Sequence, residues 1–335
     1  MKLLITGGCG FMGSNAIRYF LQKYPDCHIL NLDALTYAGN PENLRDIEHD
    51  PRYQFVHGRI EDEAAVEKIF SDFKPDCVIN YAAETHVDRS IMDPRAFLMT
   101  EIFGTHTLLE AVRRHGTARY IQISTDEVYG SIADGAWDER QPFDPSSPYS
   151  AAKAGGDHLC FAFWKTYNTP VIVTHSCNFY GPYQYPEKVI PLFIINLLEG
   201  KKVPLYGDGL NVREWIYTED HCRAIDMILH TGSIGESYNI GTGVRMTNSD
   251  LTKKIVSLLG KGEDMIEPVA DRAGHDRRYA LDAGKLNALG WQPLCSFQDA
   301  FAKTVEWYKA HEAWWAPLRS GEYLNYYRRQ YQERE

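Results

Sequence analysis

Five side chains in two short stretches could move protons around one substrate. Thr125, Asp126 and Glu127 are consecutive, and a Tyr149-x-x-x-Lys153 pair follows them along the chain. Residues four apart lie on one face of a helix, so Tyr149 and Lys153 would point the same way if their segment is helical. Asp126 and Glu127 place an acid beside a base. Simple redox chemistry needs only one proton transfer, so this larger set indicates a multi-step reaction.

The first 180 residues must supply the framework for these side chains, and they alternate short apolar runs with helical patterns. Adjacent apolar residues within most runs are typical of parallel strands that are buried on both faces. Strands are predicted at Leu3–Thr6, Ile29–Asp33, Gln54–His57, Cys77–Ala82, Tyr120–Ser124 and Val171–Thr174. Helical spacing covers 13–24, 62–73, 95–115 and 148–167. Repeated strand–helix units predict an α/β fold, a doubly wound parallel sheet of the Rossmann type.

The pattern changes after residue 180 into shorter pieces rich in Pro, Gly and Tyr. Helical segments remain near 187–199, 219–230, 248–259 and 297–310. We therefore predict a Rossmann domain over 1–180 and a smaller C-terminal α/β substrate lobe over 181–335, with some interchange of chain between the two. The tail 311–335 is rich in aromatic residues, and we expect it to pack against the body rather than form a subunit contact. Its aromatic residues are Trp314, Trp315, Tyr323, Tyr326, Tyr327 and Tyr331.

The overall composition excludes several classes of protein. Of 335 residues, 44% are hydrophobic and 24% are charged, which is ordinary for a soluble globular protein. The net charge of −10 argues against nucleic acid or an anionic membrane as partner, and no apolar run approaches the ~18 residues of a membrane span. The seven cysteines are scattered without a C-x-x-C motif, which favours free thiols in a reducing cytoplasm over disulfides or a metal site.

A glycine-rich segment follows the first predicted strand and opens the first predicted helix. It reads Gly7-Gly8-Cys9-Gly10-Phe11-Met12-Gly13, with glycines at 7, 10 and 13. Such glycines allow a tight turn and close approach of the backbone to a pyrophosphate, which then binds at the helix N-terminus. Asp33 ends the next strand, where a carboxylate accepts both hydroxyls of an adenosine ribose and repels a 2′-phosphate. The segment therefore predicts NAD as cofactor, in preference to NADP.

The Tyr–Lys pair gains a role once NAD is expected. A tyrosine phenol has a pKa of about 10 and is a poor base at neutral pH. We expect the Lys153 ammonium and the positive nicotinamide to lower the pKa of Tyr149, so that its phenolate removes a hydroxyl proton. Thr125 could share the hydrogen bond. The activated group would be an alcohol whose carbon gives hydride to NAD⁺.

These features resemble the extended short-chain dehydrogenase/reductase superfamily, and within it the dTDP-glucose 4,6-dehydratase family. The stretch Ser124-Thr125-Asp126-Glu127-Val128-Tyr129-Gly130 is similar to the active-site segment of those dehydratases. Other superfamily members, such as the epimerases, lack the Asp–Glu pair. The resemblance covers about residues 1–310 and also includes the segments 36–40, 82–90, 180–188, 207–209, 213–215, 219–221 and 274–279.

The resemblance implies a mechanism for the five residues. Tyr149, helped by Thr125 and Lys153, would remove the proton from the sugar 4-hydroxyl as carbon 4 is oxidised. Glu127 would remove the proton on carbon 5, which the new ketone acidifies. Asp126, kept protonated, would give a proton to the 6-hydroxyl as it leaves as water. The expected product is a 4-keto-6-deoxy sugar nucleotide, with NAD regenerated.

The resemblance also implies contact residues and a homodimer formed through a four-helix bundle of the 95–115 and 148–167 helices. Cofactor contacts beyond the glycine motif are expected from Phe11, Met12, Asp33, Ala34, Thr36, Ile60, Ala82, Ala83, Thr100, Tyr149 and Lys153. Substrate contacts are expected from Thr85, Asn178, Glu187, Lys188, Pro204, Tyr206, Arg213, Asn248, Arg272 and His275.

Two departures from the family pattern affect the cofactor site. Arg59 stands where the family usually has an Asp near the adenine amino group, so adenine recognition would rest on the backbone or on Asp62. Phe179 replaces an Asn beside the nicotinamide, which apolar residues occupy in other members of the superfamily. NAD binding should survive the change to Phe179, which nevertheless weakens the assignment of the substrate as dTDP-glucose.

Rival interpretations stay open at this point. Among dehydratase substrates dTDP-glucose is favoured, then UDP-glucose, then UDP-N-acetylglucosamine or CDP-glucose. A UDP-sugar 4-epimerase or decarboxylase would need only Tyr149, Lys153 and Thr125, so the intact Asp126–Glu127 pair argues against it. A non-catalytic NAD sensor or scaffold would be expected to lose Tyr149 or Lys153, and both are present.

Overall fold

The computed structural model describes residues 1–271 and 274–319. Its strands are β1 (Lys2–Thr6), β2 (His28–Asp33), β3 (Tyr53–His57), β4 (Cys77–Asn80), β5 (Arg119–Thr125), β6 (Val171–Ser176), β7 (Asn178–Tyr180), β8 (Val203–Tyr206), β9 (Val212–Tyr217), β10 (Ser237–Ile240), β11 (Arg245–Thr247) and β12 (Ile266–Val269). Its helices are α1 (Phe11–Lys23), α2 (Glu63–Phe73), α3 (Val87–Met92), α4 (Pro94–Leu98), α5 (Thr105–His115), α6 (Pro148–Tyr167), α7 (Val189–Leu198), α8 (Thr218–Thr231), α9 (Asn248–Leu258), α10 (Gly284–Ala288), α11 (Phe297–Ala310) and α12 (Glu312–Trp315).

Seven strands form one parallel sheet in the order β10-β6-β5-β4-β1-β2-β3. The predicted doubly wound fold is therefore confirmed. The strand order changes direction between β1 and β4, and the crevice at the carboxyl ends of the strands on either side of such a point is where this architecture binds ligands. Hydrophobic clusters pack against the two faces of the sheet, which accounts for the near-continuous burial of β1, β4 and β5.

The longest helix, α6, carries its own start and stop signals. Ser147 caps its first turn in a capping box with Ser150, and Pro148 occupies the first helical position. Asn168 ends it in a left-handed conformation. These local signals fix where the helix begins, and so place Tyr149 in its first turn, beside the end of the sheet.

The helix predicted over 95–115 is not uniform. A π-helical turn, Met99–Gly104, separates α4 from α5. At Gly104 a Cβ atom would lie 2.4 Å from the side chain of Ile60, in the loop after β3, so this turn approaches that loop more closely than a larger residue would allow. A helical spacing pattern does not distinguish such a turn from a regular α-helix, although π turns often accompany functional sites.

The second half of the chain builds two small sheets, β11-β9-β7 and β12-β8. They enclose an apolar cluster with α7, α9 and α11. β10 lies in this half of the sequence but pairs with β6 in the large sheet. In the described part of the tail, the Trp314 indole N–H donates to the Asn43 side chain at 2.8 Å and Trp315 is buried, as the packing prediction expects. Tyr323, Tyr326, Tyr327 and Tyr331 lie outside the described residues.

The seven cysteines are free thiols, six of them buried and Cys295 partly so. Within the described ranges no helix is long and apolar enough to cross a membrane. No group of three or more His, Cys, Asp or Glu side chains among these residues is placed to hold a metal ion.

Candidate active site

The glycine loop packs so closely on neighbouring backbone that Gly7 and Gly13 have no room for a side chain. Gly7 has a φ of +66°, and a Cβ there would lie 2.7 Å from the Ala82 nitrogen. A Cβ at Gly13 would lie 2.3 Å from the Gly7 backbone oxygen, so α1 packs directly on the turn. No side chain caps the first turn of α1, which begins after Gly10. The first N–H groups of the helix are therefore available to an anion in the cleft.

Asp33 ends β2 at the rim of this loop and is 6% exposed. Its carboxylate accepts hydrogen bonds from the backbone N–H groups of Cys9 (2.8 Å) and Leu35 (2.7 Å). Burial raises the pKa of Asp33, and these two hydrogen bonds oppose that effect. Each carboxylate oxygen keeps a further lone pair. Because Asp33 also lines the cleft, it is placed to accept hydroxyl donors from a ligand.

Asp62, predicted along with the backbone as an alternative source of adenine recognition, lies at the start of α2. The Asp62 side chain caps α2 by accepting from the N–H groups of Ala64 and Ala65 at 3.0 and 3.1 Å. Arg59 and Glu61 line the cleft instead and form an ion pair of 3.1 Å. The Asp62-Glu63-Ala64-Ala65 sequence carries a helix N-cap signal, from which this role could have been recognised.

The acidic pair follows directly from the end of β5. Thr125 caps the short 3₁₀ turn Asp126–Tyr129 by accepting from the Glu127 N–H at 3.3 Å, and its hydroxyl donates to Asp126 Oδ1 at 3.2 Å. Asp126 is 3% exposed, and its Oδ2 is buried without a hydrogen-bond partner in the described chain. Burial, with a smaller contribution from Glu127, raises the pKa of Asp126 well above its usual range, while Arg213 opposes the shift. This direction favours the protonated form of Asp126, which can donate a proton.

Tyr149 and Lys153 lie on α6 and line the same cleft as the acidic pair. The Thr125 hydroxyl is near enough to Tyr149 to lower the pKa of the phenol. Burial, then the carboxylates of Glu127 and Glu101, raise the pKa of Tyr149 well above its usual range in the protein alone. The lowering of the Tyr149 pKa that was expected from Lys153 together with the nicotinamide is not seen in the protein alone, where the Lys153 ammonium pairs with Glu101 at 3.0 Å.

The structure brings most of the predicted site residues to one cleft at the carboxyl ends of β1, β2, β4, β5 and β6. The predicted cofactor residues that line it are Gly7, Gly10, Phe11, Met12, Gly13, Asp33, Ala34, Thr36, Ile60, Ala82, Ala83, Thr100, Tyr149 and Lys153. Thr125, Asp126, Glu127, Thr85, Asn178 and Lys188 line it as well. These residues come from distant parts of the sequence, so a single ligand could contact both the glycine loop and the acidic pair.

The other predicted substrate residues that the structure describes are not among those that line this cleft. Pro204 and Tyr206 are on β8, Asn248 is the first residue of α9, and the His275 ring lies 6.1 Å from that of Tyr206. Arg213, on β9, is closer to the chemistry. Its guanidinium donates to the backbone oxygens of Val212 and Asp276 and is near enough to Asp126 to lower its pKa. Arg272 lies outside the described residues.

Two charged residues beside the cleft had not been singled out from the sequence. Arg89, on α3, lies over the Tyr37 ring at 3.8 Å and pairs with the buried Glu187 at 3.2 Å, so it connects the first half of the chain to the predicted substrate residues. Glu101 lies beneath Lys153 and is fully buried. A lone charge within an otherwise apolar helical segment was the available signal for Glu101, but such residues are more often solvated.

Comparison with known proteins adds a family to this geometry. The profile of the GDP-mannose 4,6 dehydratase family matches residues 4–304. A dTDP-glucose 4,6-dehydratase of Streptomyces antibioticus is 48% identical over 325 residues, which cover 95% of this chain and 96% of that protein. The chain belongs to the dTDP-glucose 4,6-dehydratase family. Solved structures of this family therefore provide the relevant comparison for the cleft.

One such structure is a dTDP-glucose 4,6-dehydratase from Streptomyces venezuelae with NAD and dTDP bound. It superposes with a TM-score of 0.93 at 49% identity, covering 95% of this chain and 100% of that one. A UDP-glucose 4-epimerase from Thermus thermophilus in complex with NAD has a TM-score of 0.86 at 30% identity, covering 93% and 100%. The fold is thus shared with epimerases, and the similarity in sequence is greater to the dehydratase.

Proposed function

We propose that this protein is an NAD-dependent hydro-lyase that converts dTDP-glucose to dTDP-4-keto-6-deoxyglucose and water. The observation that carries the proposal is the burial of Asp126, which is 3% exposed, beside Glu127 and in the same cleft as Tyr149. Burial raises the pKa of Asp126 and so favours its protonated form. An acid that stays neutral next to a base is what elimination of a hydroxyl requires. The relatives with this activity support the choice of substrate.

The cleft fits NAD on features of this chain alone. Gly7 and Gly13 leave a cradle that a Cβ would fill, the uncapped start of α1 suits a pyrophosphate, and Asp33 offers acceptors to a ribose. The cofactor residues named above would hold it. When bound, NAD would accept a hydride from sugar carbon 4 and later return it to carbon 6.

Tyr149 would begin the reaction by accepting the proton of the sugar 4-hydroxyl. The Thr125 hydroxyl, which is near enough to Tyr149 to lower its pKa, would help to hold the phenol in position. Lys153 would contribute a positive charge that stabilises the phenolate. Since burial raises the pKa of Tyr149 in the protein alone, deprotonation depends on positive charge added when the cleft is filled.

Asp126 and Glu127 would then divide the elimination between them. Glu127 removes the proton from carbon 5, and Asp126 gives its proton to the 6-hydroxyl, so the C6–O bond breaks and water leaves. Glu127 afterwards returns a proton to carbon 5. Arg213 stabilises the Asp126 carboxylate formed in this step, because its positive charge favours the ionised form.

We propose that the sugar nucleotide is bound by residues at the mouth of the cleft and in the second half of the chain. The substrate-binding set is Thr85, Asn178, Glu187, Lys188, Pro204, Tyr206, Arg213, Asn248, Arg272 and His275. Residues 1–180 would then act as the NAD domain and 181–335 as the substrate lobe, with β10 returned to the first. Arg and Lys side chains suit the diphosphate, and Arg can bind its oxygens in pairs.

We also propose a homodimer that works in the cytoplasm. Large apolar side chains are exposed on α3, α4 and the following π-helical turn, including Met92 (57% exposed) and Phe103 (56%). Covering this patch in a four-helix bundle with α5 and α6 of a second copy would bury it. Seven free cysteines suit a reducing compartment. Sedimentation analysis should show a dimer for the wild type and a monomer for Phe103→Asp.

The experiment that tests the proposed function is mass spectrometry of the protein with dTDP-glucose and UDP-glucose in competition, without added reductant. Loss of one water from dTDP-glucose, with NAD unchanged, is the expected result. Loss of water from UDP-glucose instead would show that the substrate carries uridine rather than thymidine. If neither sugar nucleotide loses water, UDP-N-acetylglucosamine would be tested next. A 4-epimerase would leave the mass unchanged. In deuterated water, dehydration must place deuterium on carbon 5, whereas 4-epimerisation does not.

A further inference from the structure

An ion pair lies beneath the proposed active site. Glu101, in the π-helical turn Met99–Gly104, is fully buried, and its carboxylate is 3.0 Å from the Nζ atom of Lys153. Within residues 1–271 and 274–319, and apart from this ion pair, neither carboxylate oxygen of Glu101 has a hydrogen-bond partner. A buried carboxylate with so few partners is costly in free energy, so stability alone does not explain its presence.

The backbone is shaped to bring this pair together. A Cβ at Gly156 would lie 2.7 Å from the Glu101 backbone oxygen, and one at Gly155 would lie 2.9 Å from the Ile102 side chain. These two glycines let α6 pack directly on the π-helical turn. Thr100, the residue before Glu101, lines the cleft. The turn thus presents one side chain to the cofactor site and the next to Lys153.

Lys153 is the main positively charged group near Glu101. The groups that face it are Lys153, Asp157 and Tyr149 from α6, Glu84 from the loop after β4, and Tyr120 from β5. Burial raises the pKa of Glu101 to about 7, and Lys153 opposes this shift. Besides Glu101, the Lys153 ammonium donates to the Ile123 backbone oxygen at 3.1 Å.

We propose that Glu101 is a positioning residue for the dehydratase reaction: it holds the Lys153 ammonium in place, and in its charged form, below Tyr149. Without the carboxylate, Lys153 would be a buried cation with only a neutral carbonyl as acceptor. Such an environment favours the uncharged amine. An uncharged Lys153 no longer stabilises the Tyr149 phenolate, so proton removal from the substrate hydroxyl would slow. This inference deepens the proposed function and rests on it.

The test compares Glu101→Gln, which removes the charge at nearly constant size, with Glu101→Asp, which keeps the charge but retracts it by one methylene. The rates kcat and kcat/KM for dTDP-glucose dehydration would be measured from about pH 6 to about pH 10. At about pH 6, the kcat of E101Q should approach that of the wild type. As pH rises, the kcat of E101Q should fall at least about tenfold more than that of the wild type, because proton loss from Lys153 becomes easier. E101D should lie between the two.

Glu110→Gln on the adjacent helix α5 is the matched control, because this substitution removes an ion pair with the exposed Arg113, at 2.7 Å. Its pH profile should follow the wild type. An E101Q profile parallel to the wild type, even with a lower melting temperature, would show a purely structural role and overturn the inference. If E101Q does not fold, an E101D profile identical in shape to the wild type has the same meaning. A wild type that dehydrates no sugar nucleotide would instead overturn the proposed function.

Discussion

Replacing Asp126 with Asn tests the central claim about the acidic pair. The substitution keeps the size of Asp126 and matches the uncharged form that its raised pKa favours, while removing the proton it could donate. The oxygen of the new amide could still accept from the Thr125 hydroxyl, as Asp126 Oδ1 does at 3.2 Å. The variant therefore separates proton donation from packing more cleanly than a change to Ala would.

The expected loss follows from the role of a positioned acid. General acid catalysis contributes about 10²- to 10⁴-fold to a rate. At about 1.36 kcal/mol for each factor of ten, the transition state for water loss would lose about 2.7 to 5.4 kcal/mol of stabilisation. We expect kcat for dehydration to fall by that factor, because Arg213 can stabilise a carboxylate at this position but does not give a proton to the leaving hydroxyl.

The assay measures water loss and hydrogen exchange together in deuterated water. In Asp126→Asn, Tyr149 and Glu127 remain, so recovered dTDP-glucose should acquire deuterium at carbon 5 although little product forms. Glu127→Gln is the matched comparison, since it removes the base and should abolish that exchange. Turnover of Asp126→Asn within about threefold of the wild type would refute the assignment of Asp126 as the acid.

A stability measurement checks the physical premise independently. The pKa of Asp126 is raised in the folded protein, so its stabilising contribution is present at pH values below the unfolded-state pKa and is lost as pH rises through the folded-state pKa. Asn does not titrate. The melting temperature of Asp126→Asn relative to the wild type should therefore increase from acid to neutral pH. A difference that is constant with pH would show that Asp126 is not held neutral.

Two further substitutions probe the cofactor loop and the second half of the chain. Gly13→Ala places a Cβ 2.3 Å from the Gly7 backbone oxygen, so we expect purified protein to lose its NAD, as measured by the cofactor released on denaturation. Asp220→Ala removes a buried carboxylate that accepts from the backbone of Leu294 and Cys295 and pairs with Arg223. It should cost about 3 to 5 kcal/mol in urea unfolding with an unchanged m-value, whereas loss of the exposed Asp208 should have little effect.

The fold and the general location of the site could be predicted from the sequence for physical reasons. Parallel strands buried on both faces produce near-continuous apolar runs, as in β1 and β5, and their carboxyl ends meet at one edge. Residues that follow different strands, such as Gly7, Asp33 and Thr125, therefore come together whatever their distance along the chain. Helical spacing placed Tyr149 and Lys153 on one face.

The contacts that depend on tertiary packing could not be predicted in this way. Glu101 is buried only because Gly155 and Gly156 let α6 approach the π-helical turn, and spacing patterns contain no record of that approach. The pKa of Tyr149 responds to this carboxylate as well as to Glu127, so its direction differs from the one expected from Lys153 alone. The role of Asp62 as the cap of α2, by contrast, follows from its local sequence, because Asp is a preferred N-cap residue.

The return of β10 to the large sheet has a consequence for protein engineering. A chimera that takes its substrate lobe from a relative cannot be made with one crossover near residue 180, because β10 would then come from the other parent while β6 does not. Truncation at the same place would expose the edge of β6 and invite intermolecular strand pairing. Three junctions are required instead, at the start of the lobe and on either side of Ser237–Ile240.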